Sequence, residues 1–582
     1  MNCNNIQGGG NTMTKADTVF INGTILTLDD KNSICEAVAV KCGRIISTGT
    51  TADIKPYIGE DTQVIDLERK MMLPAAYDAH VHCTSMGSAS MMVDFSFPGC
   101  DTVEEMRRRI KEAAAHTPKG EWIRGYGLNE TLIKEYLPET GRIIHHKDFD
   151  DCCPDHPLKI SLWTGHSVFV NALGLEKAGV DDNTPNPVSG VIVRDKDGHA
   201  TGLLHEGGGV NLIDRVVPLF TEEEVEQAIT NFQNTVVSNG YTGYTNATLG
   251  PCDNRNSGIS DSRAFDVYRK MAKEGKLKAR VSLGLYAGRD GVQTAENVAE
   301  TIDEFDFDKY NENPEILKVG LIKLFCDGTP MGHTAWMYDD YLDQPGNHGH
   351  SCFLDENASD EEQAEALRKI IKVCHDKGFQ IGIHAIGDRA VRTSIDCIAQ
   401  AIEENPRSDA RHYVLHPDSM GTEEMAAKAA KYGILYSVQP GLIDHIIEPA
   451  IALTGEKVKS GQQIRTFLSQ GVKCCGGSDG IIGEFQNWRQ SVQSAVTRRS
   501  HITGIQYHRE LALTITEAIR LFTIDAVYQE HMEKDLGSVE IGKFADFQVL
   551  DKDIYRVPVD EIGSIQVLQT YKEGVCIYDR NN

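Results

Sequence analysis

Helix-like stretches alternate with short apolar runs through the middle of the chain, and this alternation constrains the fold more than any other feature. The first predicted helix opens with the capping box Thr221-x-x-Glu224, and the second ends at Gly275, a usual C-terminal helix signal. One helix and one strand in about 30 residues is the size of a βα unit. Repeated units predict a parallel sheet, either closed into a barrel or doubly wound. The four predicted helix–strand pairs are 221–238 with 240–245, 262–274 with 279–285, 360–377 with 379–384, and 422–431 with 434–438.

The two ends of the chain carry only strand-like runs. Near the start, the runs 18–21 and 24–28 flank Asn22-Gly23, which is a two-residue hairpin signal. Similar runs at 546–550 and 574–578 close the chain. We therefore expect a small β-domain built from both termini around a central α/β domain. The predicted boundaries are 1–15 for a disordered leader, 16–73 plus 536–582 for the composite β-domain, and 74–535 for the central domain, with a Gly- and Pro-rich insertion at about 88–218.

Charge and hydropathy exclude several classes of partner. The chain has 58 Lys and Arg residues against 85 Asp and Glu residues, so that its formal net charge is −27. Nucleic acid and anionic membrane surfaces would repel such a chain. The mean hydropathy is −0.33, no window approaches the ~20 apolar residues of a membrane span, and the first residues lack the pattern of a secretion signal. We expect a cytoplasmic protein whose 15 cysteines, none of them in a CxxC pair, are reduced thiols.

The segment Asp78-Ala79-His80-Val81-His82 follows an apolar run and is the first candidate for chemistry. Side chains two residues apart in a strand share a face, so both imidazoles are expected to point the same way. Two neutral imidazoles placed in this way suit Zn²⁺ or a similar divalent ion. The motif is short, however, and two ordinary polar histidines remain the alternative at this point.

Four more polar residues lie in or close apolar runs further along the chain: Lys323, His384, His416 and Asp479. Any one of them alone is more often a satisfied core residue. Together they match the strand ends at which a βα barrel carries its catalytic residues. His384 and His416 are 32 residues apart, close to one βα unit, and His416 and Asp479 are 63 apart, close to two. Lys323 and His384 are 61 apart, and the irregular stretch 327–355, a candidate lid, accounts for the excess.

The ordered set of motifs resembles the amidohydrolase superfamily, and within it the family-3 branch that includes N-substituted formamide deformylase-like metal-dependent hydrolases. The resemblance covers about residues 16–580. One departure is Pro74-Ala75, where the family usually has Pro-Gly before the HxH strand. The segments that carry it are Ala16-Asp17 through Asn22-Gly23, Asp78-Ala79-His80-Val81-His82, Lys323-Leu324-Phe325-Cys326-Asp327-Gly328, His384-Ala385-Ile386-Gly387-Asp388, the strand end at His416, Ser437-Val438-Gln439-Pro440, Gly477-Ser478-Asp479, and 537–546.

The resemblance implies a distorted TIM (β/α)8 barrel, with a β-sandwich formed from both chain ends and a large insertion after barrel strand 1. It implies one or two divalent metal ions, with Zn²⁺ as the first candidate, and a Lys323 carboxylated by CO₂. A structural or substrate-binding lysine is the alternative for that residue. The implied reaction is hydrolysis of a non-peptide C–N bond, in an amide or an N-formyl or N-acyl amine, by metal-activated hydroxide, with Asp479 as general base and acid. The implied metal ligands are His80, His82, Lys323, His384, His416 and Asp479.

Further residues are candidates for contact with a small-molecule substrate. Each of them has a plain structural alternative, as a loop residue or as part of the core of the insertion. A deaminase on the same scaffold and a non-catalytic protein of this fold are the competing functions, and a homodimer is the default expectation for assembly. The candidate substrate contacts are His333 on the lid, His166, Glu206 and Trp122 in the insertion, and Asp444 and His445 after the Gln439-Pro440 turn.

Overall fold

The structure is a computed structural model. It describes residues 14–188, 190–250, 259–289, 292–354, 357–455, 463–480, 487–500 and 503–581, without the side chains of 138 and 443–445. Most of the predicted leader, residues 1–13, therefore lies outside the described residues.

The strands of the described chain are numbered in chain order. They are β1 (Thr18–Ile21), β2 (Thr24–Leu26), β3 (Ile34–Cys35), β4 (Ala37–Lys41), β5 (Arg44–Gly49), β6 (Gln63–Asp66), β7 (Met71–Pro74), β8 (Ala76–Val81), β9 (Val93–Asp94), β10 (Ile123–Leu128), β11 (Leu158–Leu162), β12 (Ser167–Val170), β13 (Val191–Arg194), β14 (Ala200–His205), β15 (Tyr241–Leu249), β16 (Arg280–Tyr286), β17 (Leu317–Phe325), β18 (Gln380–His384), β19 (Tyr413–Leu415), β20 (Leu435–Val438), β21 (Cys474–Gly476), β22 (Phe547–Leu550), β23 (Val567–Lys572) and β24 (Val575–Asp579).

The α-helices of the same part of the chain are α1 (Thr51–Ile54), α2 (Cys83–Gly87), α3 (Val103–His116), α4 (Ala172–Ala178), α5 (Glu206–Asp214), α6 (Glu222–Ser238), α7 (Arg263–Lys273), α8 (Ala295–Glu304), α9 (Phe307–Tyr310), α10 (Asp360–Asp376), α11 (Asp388–Glu404), α12 (Glu423–Lys431), α13 (Ile443–Thr454), α14 (Ile464–Ser469), α15 (Trp488–Thr497), α16 (Ile515–Leu521) and α17 (Ile524–Gln529).

Eight parallel strands form the central sheet, in the order β8, β15, β16, β17, β18, β19, β20, β21. Helices lie between successive strands, and their apolar faces pack on the outer faces of the strands in the largest core cluster. The first strand meets the last through a backbone hydrogen bond of 2.9 Å from Asp479 N to His80 O. The expected (β/α)8 barrel is confirmed, and the predicted capping box at Thr221 is present at the start of α6.

Two further sheets are built from the chain ends, one from N-terminal strands alone and one from strands of both ends. One has the order β5, β4, β1, β6, and the other has the order β24, β23, β22, β7, β2, β3, so that C-terminal strands pair with N-terminal ones. Their side chains share one core cluster, in which Phe20 contacts Phe547 and Tyr571 edge to face. Buried Arg280 at the base of β16 bridges this unit to the barrel, with its guanidinium 2.8 Å from Glu573 and 3.4 Å from Asp546.

The segment between β8 and β15 is more regular than its Gly- and Pro-rich sequence suggests. It forms a six-stranded sheet of its own, in the order β13, β14, β12, β11, β10, β9, together with helices α3 to α5. Two apolar clusters, one on each face of this sheet, make it a separate layer above the barrel. Each face of the sheet is therefore covered by an apolar cluster, and side chains of the insertion line the cavity at the barrel mouth.

None of the described helices combines the length and the apolar composition needed to cross a membrane. The 13 cysteines within the described ranges are all free thiols.

Candidate metal centre and substrate cavity

The predicted metal ligands all lie at the carboxyl edge of the barrel, where the strands of a (β/α)8 barrel place catalytic groups. They come from five of its eight strands. His80 and His82 lie at the end of β8, Lys323 lies in β17, His384 is the last residue of β18, His416 follows β19 directly, and Asp479 follows β21 after two residues.

Asp479 lies among three imidazoles. Its Oδ1 is 3.2 Å from His80 Nε2 and 3.3 Å from His82 Nε2, and its Oδ2 is 4.0 Å from His416 Nε2. His80, His82 and Asp479 each offer one potential ligand atom, and these three atoms lie within 4.8 Å of one another. Imidazole nitrogen and carboxylate oxygen are ligands that Zn²⁺ and similar divalent ions accept. This trio is the candidate metal site.

Several buried nitrogen atoms around Asp479 make no hydrogen bond of suitable geometry with the described residues, although His80 Nε2 lies 3.2 Å from Asp479 Oδ1. They are both ring nitrogens of His80, the Nζ of Lys323 and the Nε2 of His384. The three residues are at most 3% exposed. Buried polar groups in folded proteins are nearly always hydrogen-bonded, so a group of unpartnered ones needs an explanation. Ligation of divalent ions between these atoms fits the arrangement.

Lys323 is buried because of the alternation along β17. Ile322 and Leu324 pack outward under the helices, whereas Lys323 points into the barrel, and its ammonium lies 4.6 Å from the ring centre of Phe325. Gln293 fixes this part of the strand by donating to Lys323 O and accepting from Phe325 N, both at 2.9 Å. Burial lowers the pKa of Lys323 to about 7, and the nearby carboxylate of Asp479 opposes this only in part.

His416 is oriented by Gln439, whose role the sequence did not reveal. The Nδ1 of His416 lies 2.7 Å from the amide oxygen Oε1 of Gln439, which can only accept a hydrogen bond. The proton of the neutral ring is therefore on Nδ1, and Nε2 keeps its lone pair toward Asp479. Such partners fix the tautomer of metal-ligating histidines. The Gln439-Pro440 segment is part of the family resemblance, but the partner of Gln439 could not be read from the sequence.

Burial shifts the ionisation of the cluster in the direction that metal binding requires. It lowers the pKa of His416 to about 4 and lowers the pKa values of His80 and His384 well below the ordinary range. Burial alone would raise the pKa of Asp479, but the imidazoles of His416 and His80 outweigh it and hold that pKa well below its usual range. Neutral imidazoles beside an ionised carboxylate are the protonation states in which these groups ligate a cation.

Asp78 joins the first barrel strand to the loop that carries Asp479. Its carboxylate accepts hydrogen bonds from Ser478 Oγ at 2.5 Å, Ser478 N at 2.9 Å and His80 N at 3.2 Å. The approach is close, because a Cβ on Gly477 would lie only 2.8 Å from His80 N. These contacts hold the carboxylate of Asp479 beside the imidazoles of His80 and His82.

Two of the proposed ligands have left-handed backbone conformations. The φ angles are +63° at His416 and +61° at Asp479. Non-glycine residues rarely adopt this region, and each such residue costs on the order of 1–3 kcal/mol unless its surroundings fix it. Backbone strain at both positions is typical of a functional site.

The insertion contributes His166 and Glu206 beside the metal centre. The ring of His166 is 4.8 Å from that of His384, and its Nδ1 is 2.8 Å from Glu206 Oε2. Glu206 also accepts from Thr334 Oγ1 at 2.6 Å. Burial would lower the pKa of His166, but the Glu206 carboxylate outweighs it and raises that pKa, while His166 outweighs burial at Glu206 and lowers the pKa of that carboxyl. The two form a buried ion pair at the barrel mouth.

A cavity of about 220 Å³ lies between the barrel mouth and the insertion. His82, His166 and Glu206 line its end at the metal centre, and Tyr286 and Phe325 line its barrel wall. The cavity is of a size and position to receive a small organic substrate with its reactive bond at the candidate metal site.

Of the remaining predicted contacts, Trp122 and His333 are not among the described residues that line the cavity. Trp122 packs against an apolar cluster of the insertion. His333 lies in the irregular stretch after β17, where its Nε2 is 2.9 Å from Asp343. Asp444 and His445 belong to α13, and their side chains lie outside the described part of the chain.

Asp327 links the irregular stretch after β17 to the loop after β18, a role that the sequence did not suggest. Its buried carboxylate accepts from the backbone N–H groups of Trp336, Ile386 and Gly387 at 2.8–3.0 Å. The signal available in the sequence was a carboxylate directly after an apolar run. The bonding partners come from loops 9 and 60 residues away, so local pattern could not supply them.

Comparison with known proteins decides the family. The model of the amidohydrolase family matches residues 63–578. This chain belongs to the amidohydrolase family. YtcJ of Bacillus subtilis (strain 168), whose name calls it an amidohydrolase, is 28% identical to it over 97% of this chain and 99% of its own. The N-substituted formamide deformylase of Arthrobacter pascens is 26% identical over 97% of this chain and 98% of its own.

Solved structures agree on the fold of this amidohydrolase. An uncharacterised metal-dependent hydrolase from Pyrococcus horikoshii OT3 superposes with a TM-score of 0.67 at 21% identity, covering 93% of this chain and 99% of its own. The chain is thus an amidohydrolase-family hydrolase with the fold of a metal-dependent hydrolase and a His-His-Asp candidate metal site.

Proposed function

We propose that this amidohydrolase hydrolyses a non-peptide C–N bond, in an amide or an N-formyl or N-acyl amine, with divalent metal ions as cofactor. The observation that carries the proposal is the group of buried, unpartnered donor atoms of His80, Lys323 and His384 beside Asp479. The name of the Arthrobacter pascens relative supports N-formyl and N-acyl amines as the first substrates to test.

The residues fit one or two divalent ions, and Zn²⁺ is our first candidate. His80, His82 and Asp479 would hold one ion, and Lys323, His384 and His416 would contribute to a second. When bound, such ions polarise a carbonyl group and make water a nucleophile at neutral pH. An ammonium group has no lone pair for a metal, so Lys323 would serve as a neutral amine or as the carbamate that a neutral amine forms with CO₂.

Asp479 is the residue to which we assign proton transfer. Its carboxylate is buried among imidazoles that lower its pKa, so it is ionised at neutral pH and able to accept a proton from the attacking water. Donation of that proton to the amine nitrogen would complete cleavage of the C–N bond. A positioned acid or base of this kind contributes typically 10²–10⁴-fold to the rate.

We assign to His166 a hydrogen bond to the carbonyl oxygen of the substrate. Its Nδ1 is engaged with Glu206, which leaves Nε2 as the nitrogen available to the cavity that the ring lines. The ion pair with Glu206 favours the protonated ring, in which both nitrogens donate. Nε2 would donate to the substrate oxygen as negative charge develops there.

The test is an assay of a substrate panel with three proteins: the native chain, Asp479→Asn, and His508→Ala as a surface control. His508 is 41% exposed and bonds to Glu510 at the surface. We expect the native protein and the control to release amine from N-formyl or N-acyl amines at equal rates, and Asp479→Asn to lose at least about 10²-fold.

Two outcomes contradict the proposal. Turnover of substrates with a C=N bond, such as aminated heterocycles, and of no amide would make the protein a deaminase. Absence of turnover on both classes by metal-loaded protein would favour a non-catalytic member of the family.

A further inference from the structure

One wall of the substrate cavity belongs to the face of the insertion sheet on which α5 packs, opposite the face that carries Leu158 and Ile160. In β11, Leu158 and Ile160 pack into the insertion core, whereas Lys159 and Ser161 line the cavity. This is the alternation of a strand with its two faces in different surroundings. Arg124, in register with Lys159 on β10, lines the cavity as well. Two cationic side chains therefore stand side by side on this wall.

Helix α5 runs along the cavity from the end near the metal centre to these cations. It begins at Glu206, which bonds to His166 beside the metal centre, and ends at Asp214, which pairs with Lys159. Val210 and Asn211 between them also line the cavity. At 1.5 Å per residue, the eight steps from Glu206 to Asp214 span about 12 Å. The lining of the cavity thus carries charged groups at both ends of α5.

The pair of Lys159 and Asp214 at the far end is deeply buried. Their side chains are 7% and 2% exposed. Taking an ion pair out of water costs several kcal/mol per ion, and apolar residues of similar volume usually stabilise a fold as well or better. An ion pair in a cavity wall is therefore poorly explained by stability alone. An ammonium group has three donors, and Asp214 uses one of them.

Arg124 adds a second cation at this end. Its guanidinium lies 4.1 Å from the ring centre of Phe220, and its Nη2 donates to Pro218 O at 2.5 Å. Glu224 is also close enough to Arg124 to act on it electrostatically, but its carboxylate caps α6 by accepting from Thr221 N at 2.7 Å and does not line the cavity.

Among the described residues that line the far end, two cations thus face the single carboxylate of Asp214. The wall between the ends includes the apolar side chains of Leu162, Val168 and Val210.

We propose that Lys159, supported by Arg124, recognises a carboxylate at the far end of the substrate, separated from the reacting carbonyl by an apolar chain that spans about 12 Å along α5. The substrate class is then an N-acylated ω-amino acid or a related amide with a terminal carboxylate. The proposal rests on the proposed function for the chemistry of the reacting end and on the cavity wall for the tail.

The test measures binding, so that it does not depend on hydrolysis. The probes are two methyl ketones, which have a CH₂ group in place of the amide nitrogen and cannot be hydrolysed: oxodecanoate, with a terminal carboxylate, and decanone of the same chain length. Calorimetric titration of the native protein is expected to show at least tenfold tighter binding of oxodecanoate.

Three variants test whether the preference for oxodecanoate over decanone depends on Lys159. Lys159→Met is expected to weaken binding of oxodecanoate at least tenfold and to leave decanone unchanged. Lys196→Met, at an exposed lysine of the insertion, serves as the matched control and should change neither. Should Lys159→Met fold poorly because Asp214 loses the Lys159 ammonium, Lys159→Met/Asp214→Asn removes both charges and should show the same loss.

Equal binding of the two ketones by native protein would overturn the proposal, and so would a preference for oxodecanoate that survives in both Lys159 variants. Hydrolysis of amides by a protein with no preference for the carboxylate would leave the proposed function standing and remove only the tail site. Tight binding of oxodecanoate without any amide hydrolysis would leave the tail site standing and contradict the proposed function.

Discussion

Replacement of Asp78 by alanine tests whether this carboxylate closes the barrel and sets the metal site. In the native structure Asp78 accepts from the hydroxyl and the N–H of Ser478 and from the N–H of His80, all in the interior. Asp78→Ala leaves two backbone N–H groups and one hydroxyl without this partner. A buried donor left unsatisfied costs about 1–3 kcal/mol. Ser478→Ala is the matched control, because it removes only the hydroxyl and keeps both backbone bonds.

The expected losses differ enough to be measured. Asp78→Ala should lower the free energy of unfolding by about 3–5 kcal/mol, since effects within one network do not add fully. Ser478→Ala should cost about 1–2 kcal/mol. The assay is urea unfolding of metal-free protein, followed by tryptophan fluorescence, with the double variant to obtain the coupling. A loss for Asp78→Ala no larger than that for Ser478→Ala would refute the reasoning, because the backbone bonds across the seam would then contribute nothing.

Three further substitutions probe other parts of the account. Gln439→Leu should weaken Zn²⁺ binding about 10–100-fold, because His416 loses the partner that fixes its tautomer; unchanged affinity in a metal titration would contradict this. Glu206→Gln should lower kcat on the order of 10²-fold without changing metal content, because His166 loses its ion-pair partner and its position; loss of metal instead would make Glu206 part of the metal site. Arg280→Met should destabilise the protein by about 3–5 kcal/mol, because two carboxylates at the junction of barrel and terminal sheets lose their buried cation; a urea midpoint equal to that of native protein would show that the junction does not depend on it.

The barrel could be predicted from the sequence because its signals are local. The capping box at Thr221 and the helix stop at Gly275 mark element ends within a few residues, and polar residues that close apolar runs mark the carboxyl edge of a parallel sheet. His384 and His416, one βα unit apart, end adjacent strands in the structure. The ligand set could be proposed because strand ends of one barrel converge whatever the intervening sequence.

The cavity wall could not be predicted, because it depends on pairing across long sequence separations. Arg124 and Lys159 are neighbours only through the pairing of β10 with β11, and Lys159 meets Asp214 only because α5 crosses that sheet. The Gly- and Pro-rich composition of the insertion concealed a regular six-stranded sheet. Trp122 was predicted to contact substrate, yet the side chains of β10 that line the cavity are those of Arg124 and Tyr126.

Metal content tests the central claim most directly. Protein purified without chelator, and analysed by plasma mass spectrometry, is expected to hold one or two equivalents of Zn²⁺ or a similar divalent ion per chain. His80→Ala and His384→Ala should lose most of it, while His508→Ala, at the surface, should retain it in full. Native protein that contains no divalent metal and binds none on titration, or ligand variants that hold as much as the control, would contradict the assignment of this site.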